Sequence, residues 1–115
     1  MRRRKWKFFV ADMLDSIRRI LEYTQGFTYE SFAADQRTAD AVIHNFVILG
    51  EAVSHIPPEV EARHMEVPWT LIRGMRNVVV HDYPSVRLDV IWDTLQRDLL
   101  PLIAPLEAIL LSEKE

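Results

Sequence analysis

The sequence predicts an all-α fold, a bundle of four main helices plus one short helix. Apolar residues recur at spacings of three and four along four separate stretches, the period that lines one face of a helix. Alternation of apolar and polar residues, the mark of a half-buried strand, appears nowhere over a useful length. Only three of the 115 residues are glycine and about half are apolar, which is the composition of a folded globular chain rather than a disordered or fibrous one.

The first long helix is expected from Trp6 to Thr24, with Phe9, Met13, Ile17, Ile20 and Leu21 on one face and Gly26 ending it. A short helical turn follows over Thr28 to Ala34, because Thr28 can cap it and Phe32 can pin it to the core. Asp35 reads as the cap of a second long helix, whose stripe is Ala39, Val42, Ile43, Phe46, Leu49, Gly50 and Val53. Pro57-Pro58 stops that helix. A third begins at Pro68, suited to a first helical position because its missing N–H would be unpaired there anyway. It ends near Pro84, whose ring disfavours helical geometry at Tyr83. Ser85 can cap the last helical region, with an apolar face from Leu88 to Leu106, and Pro101 should kink or split it.

At this length one domain spanning 1–115 is expected, since two domains of usual size do not fit. With no cysteine, disulfides, thiolate metal sites and thiol nucleophiles are all excluded, in keeping with a cytoplasmic location. Asp12 and Asp15 interrupt the apolar run that a signal peptide needs. The apolar tail around Pro101, Pro105 and Glu107 is too short for a bilayer span. The net charge of −3 hides an asymmetry, since Arg2, Arg3, Arg4, Lys5 and Lys7 supply five of the fourteen basic residues. Such an arm fits either a solvated terminus or a tracker of phosphates.

One stretch concentrates chemistry: "RNVVVHDY", Arg76 to Tyr83, running into Pro84. On a helical wheel of about 100° per residue, Leu71, Ile72, Met75, Val78 and Val79 share one side. Thr70, Arg73, Arg76, Asn77 and His81 share the other, two guanidiniums, an amide and an imidazole without an acid among them. Asn77 and His81 are four apart and can touch. Arg76 and His81 diverge by about 140° on an ideal helix, so they meet only around a ligand or where the helix loosens. The negative end of the helix and Asp82 both favour a protonated His81.

An arginine for phosphate oxygens and a histidine for proton transfer form a minimal kit for cleaving RNA without metal or cofactor, the 2′-hydroxyl acting as nucleophile. A twofold dimer would supply a second Arg and His. The same pattern equally fits a helix end that is merely capped and salt-bridged. Gly50 inside a helix suggests close approach of a neighbour, and if that neighbour is the Arg76 helix, Glu51 could orient Arg76 or Asn77; a solvent-exposed Glu51 is the alternative. His44, His55 and His64 read as surface residues. Trp6, Trp69 and Trp92 read as core or dimer packing ahead of base stacking.

Over nearly its whole length the chain resembles the HepT-like members of the HEPN superfamily of helical ribonucleases. The resemblance rests on "ILGEA" (Ile48 to Ala52), "PWTLIRGMRNVVVHDY" (Pro68 to Tyr83), "VIWDTLQRDLLPL" (Val90 to Leu102) and the opening "FFVADMLDSIRRILEYTQGFTYESF". The family's R-x4-H-x-Y signature falls on Arg76, His81 and Tyr83, with Asn77 matching the R-N start. The resemblance implies an up-and-down HEPN bundle acting as a homodimer, open to higher assembly, with a composite Arg/His cleft that cleaves transfer or messenger RNA. It also implies an MNT-family nucleotidyltransferase antitoxin that silences the toxin by adenylylating Tyr83. Arg73 and Asn77 are then expected to assist with substrate, and Glu51 to support. Rival readings are a non-catalytic subunit recruiting substrate to an MNT-type nucleotidyltransferase, and a purely structural dimerisation bundle.

Overall fold

The computed structural model describes residues 5–80 and 87–113, and for 78–80 the backbone. The described residues are helical throughout apart from turns and caps, without a strand among them. The first long helix, α1, is Trp6–Tyr23; Gly26, at a φ of 81° open to glycine and strained for other residues, turns the chain after it. The short α2, Tyr29–Ala33, starts at Thr28, whose hydroxyl accepts from the Ser31 N–H while the Ser31 hydroxyl accepts from the Thr28 N–H. That reciprocal capping satisfies two donors that a helix start leaves bare. Phe32 is fully buried, as the sequence suggests.

Asp35 caps α3, Gln36–Val53, by accepting from the Thr38 N–H at 3.1 Å. Those same bonds hold the Asp35 carboxyl below its usual pKa. The chain then departs from expectation: Pro57-Pro58 not only bars α3 from continuing but opens a further helix, α4, Pro58–Arg63, with Pro58 in its first turn. Its Val60 is buried. The next helix, α5, is Trp69–Val80, one residue later than expected; its predicted end near Pro84 lies outside the described residues, and the last helical region has Arg87, not the predicted Ser85, at its N-cap position.

The last helical region is split. After α6, Leu88–Arg97, comes a 3-10 turn over Leu100–Leu102 and then α7, Ile103–Ser112. Pro101 sits in the 3-10 turn, where its lack of an N–H and its clash with the preceding turn make a continuous α-helix untenable. The two long helices α1 and α3 pack along each other, α5 lies against α3, and α7 returns to α1. Between them the core is apolar and closed, with Met13, Ile17, Phe46, Leu49, Ile72 and Leu106 at 3% exposure or less. Two polar groups are buried in it without a partner among the described residues, the Ser16 hydroxyl and the Asn45 Oδ1; the Asn45 amide donates to the Ala41 carbonyl at 2.9 Å. No described helix is long and apolar enough to cross a membrane.

Candidate functional site

The placement of α5 begins at its first residue. Trp69 is buried to 7% exposure, and its indole N–H donates to the His64 carbonyl at 3.0 Å, so the helix enters at a fixed angle. Ile72 and Met75 then face α3 and are buried, which leaves Thr70, Arg73, Arg76 and Asn77 exposed. Leu71, expected on the apolar side, is 43% exposed instead. It stands about 100° around the helix from Ile72, and a helix packed chiefly on one neighbour buries a narrower stripe than the wheel's whole apolar half.

Arg76 is seated by α3. A Cβ added at Gly50 would collide with the Arg76 Cβ and lie 3.1 Å from its Cα, so the absence of a side chain at residue 50 is what lets α5 come this close. One residue on, the Glu51 Oε2 lies 3.5 Å from the Arg76 Nη2, with both side chains about half exposed. An ion pair of that length and exposure adds little stability, on the order of 0–1 kcal/mol. Its consequence is directional: the guanidinium is drawn along α3 and remains open to solvent. Asn77 is exposed beside it.

Arg73 has a different environment. Its guanidinium is paired with Glu61 of α4, and hydrogen bonding to that carboxylate raises its pKa further. A substrate phosphate would therefore have to displace Glu61 to reach it. His81 and Tyr83, with Asp82, lie outside the described residues, as do Arg2, Arg3 and Arg4 of the basic arm. Lys7 of that arm donates to the Glu113 carbonyl at 2.8 Å, a structural bond rather than an open phosphate contact.

The other histidines divide. His44 is exposed, as expected; His55 is exposed on one side and stacked on Phe9, ring centroids 4.2 Å apart and planes within 13°. His64 is not a surface residue: its side chain is 13% exposed and lies between Glu113, 2.5 Å from Nε2, and Glu66, 3.5 Å from Nδ1. The partner Glu113 is 49 positions away in the chain, so no local pattern announces the contact. Trp69 is a core residue and Trp92 packs on Phe32, centroids 5.1 Å apart, in line with packing roles. Among the described residues no three His, Cys, Asp or Glu side chains gather so as to hold a metal ion.

A half-exposed arginine fixed at a helix–helix crossing, with an amide beside it and an imidazole five residues on in sequence, can hold a phosphodiester. Comparison with known proteins gives the chain's family. The family model described as "Ribonuclease HepT-like" matches residues 13–109. A protein of Thermococcus cleftensis named "Probable ribonuclease HepT" is 33% identical over 107 residues, 93% of this chain and 97% of its own. A protein of Caldanaerobacter subterraneus subsp. tengcongensis, named as a candidate RNase, is 31% identical over 106 residues, 92% of this chain and 95% of its own. No solved structure matches. The match across most of the chain, with the Arg76 helix inside it, makes this protein a member of the HepT-like ribonuclease family.

Proposed function

We propose that this chain, as one HepT-like domain over 1–115, is a metal-independent endoribonuclease that cuts transfer or messenger RNA in the cytoplasm as a homodimer. The observation that carries the reading is the seat of Arg76: Gly50 admits it, Glu51 orients it and solvent reaches it. In the reaction the ribose 2′-oxygen attacks phosphorus, its proton passing to a base, and the P–O5′ bond breaks as the departing oxygen takes a proton. Arg76 stabilises the charge on the non-bridging oxygens, and His81 moves the protons. Across a twofold axis the partner copy supplies the second arginine and histidine, so one imidazole serves as base and the other as acid. Asn77 contacts the substrate, and Arg73 joins it once phosphate displaces Glu61.

Regulation follows the resemblance. An MNT-family nucleotidyltransferase transfers AMP from ATP to the Tyr83 phenol, forming an O–P bond and releasing pyrophosphate. The added charge and bulk then stand where RNA phosphate must bind.

Purified wild type is expected to degrade RNA in EDTA, and expression alone to arrest growth. Arg76→Ala and His81→Ala should each lower cleavage by about a hundredfold or more, the scale of a lost charge stabiliser or proton-transfer group, with melting temperatures near wild type. Intact RNA with the wild-type protein would instead favour a non-catalytic subunit of the nucleotidyltransferase. Co-expression with the partner should add adenylyl masses that vanish in Tyr83→Phe; masses that persist there would move the modified residue elsewhere.

A further inference from the structure

Beside Arg76, the face shared by α1 and α3 holds an open pocket of about 210 Å³ that the cleavage step above does not use. Val47, Ile48 and Ala52 form apolar walls, the stacked rings of Phe9 and His55 form another, and Glu51 stands at the edge. Glu51 is the same carboxylate whose Oε2 faces Arg76 at 3.5 Å, so the pocket and the arginine share a residue.

We propose that this pocket is a base subsite: it receives the nucleobase next to the phosphate held by Arg76 and favours bases carrying an amino group over uracil. The inference rests on the ribonuclease reading and names the sequence preference of that site. Its volume falls below the roughly 300–1,000 Å³ of pockets for drug-sized ligands and suits one flat ring system. Single-stranded RNA is read by splayed bases that stack on aromatic or imidazole rings, and the Phe9–His55 pair presents such a platform in an apolar recess. Glu51 lines the pocket, and a carboxylate that faces one guanidinium through Oε2 keeps further acceptor capacity on its remaining lone pairs. It can accept from the amino groups of cytosine, adenine or guanine. Uracil, with carbonyl oxygens on both sides of its single N–H, sets its own acceptors against that carboxylate.

The test is cleavage of a random-sequence RNA pool in EDTA by the full chain, with cut sites read by sequencing, for wild type, Glu51→Gln and His55→Ala. Wild type should disfavour uracil at one position flanking the cut by roughly tenfold or more, the scale of a well-made base contact. Glu51→Gln, whose amide can donate to a carbonyl, should abolish or reverse that discrimination, and His55→Ala should raise KM more than it lowers kcat. In parallel, the His55 ring resonances of the wild type are followed by NMR during titration with GMP and with UMP; shifts with GMP at concentrations where UMP gives none are expected. Cleavage without base preference, and His55 resonances that ignore both nucleotides, would overturn the subsite and leave the ribonuclease reading intact. No cleavage with GMP-dependent shifts would overturn the ribonuclease reading and keep the pocket as a base site. His55 shifts that follow protein concentration instead of nucleotide would mean that a second copy covers the pocket, which also overturns the proposal.

Discussion

Ser16 illustrates how a single residue can be placed against its own preference. Its hydroxyl is fully buried on α1 with no partner among the described residues. Leaving such a group unpaired costs about 1–3 kcal/mol, and alanine is in addition the better helix former. Ser16→Ala is therefore expected to stabilise the fold by about 1 kcal/mol, a rise of about 4 °C in melting temperature for a domain of this size, measured by calorimetry. A fall instead would mean that the hydroxyl is bonded, for example through a buried water. The two arginines of α5 teach a related lesson. From sequence both project from the polar face, yet Arg73 is engaged by Glu61 while Arg76 is set by Glu51 and Gly50. Which acid meets which guanidinium depends on where α3 and α4 pass, and spacing along α5 carries no such information.

At the scale of elements, glycine at two helical positions has opposite consequences. Gly74 lies inside α5 with open space where a Cβ would go, so Gly74→Ala should gain up to about 1 kcal/mol of helix propensity. Gly50→Ala should lose about 1–3 kcal/mol, because the new methyl meets the Arg76 Cβ and backbone rather than the yielding tip of a side chain. Displacing α5 also moves Arg76, so the same variant should cut RNA more slowly; chemical denaturation and the EDTA cleavage assay check the two effects together. The close approach at Gly50 was legible because a mid-helix glycine is costly without such a use. The caps at Thr28 and Asp35 and the break at Pro101 were legible because the groups that make them lie within a few residues. Helix α4 was not, since six residues carry too little periodicity and a Pro-Pro pair stops one helix and starts another with equal ease.

Across the whole molecule, one residue, Glu113, ties three distant segments together. Glu113, just past α7, accepts from the Arg63 Nε at 3.0 Å and Nη2 at 2.8 Å and from His64, and its backbone carbonyl accepts from Lys7 at the start of α1. The bonds from Arg63, first, and His64 hold its pKa down to about 2 from 4.5. A carboxyl whose folded pKa is depressed stabilises the fold fully above its unfolded value and loses that contribution as pH falls. The melting temperature of wild type should therefore exceed that of Glu113→Gln above pH 4.5, and the gap should close as pH drops toward 2. A gap independent of pH would point to packing instead of charge.

By itself the sequence determined the helical class, the turns and caps at Gly26, Thr28, Asp35 and Pro101, and the exposure of Thr70, Arg73, Arg76 and Asn77 on α5. Those features depend on groups within about a turn of one another, whose geometry the backbone period dictates. Only the tertiary structure decided that Arg76 sits in the notch at Gly50, that Arg73 is paired with Glu61, that His64 belongs to the Glu113 clasp and that Phe9 and His55 stack beside Glu51. Each of these joins residues from different elements, and a helix can present the same face to many neighbours until packing of the shared core selects one.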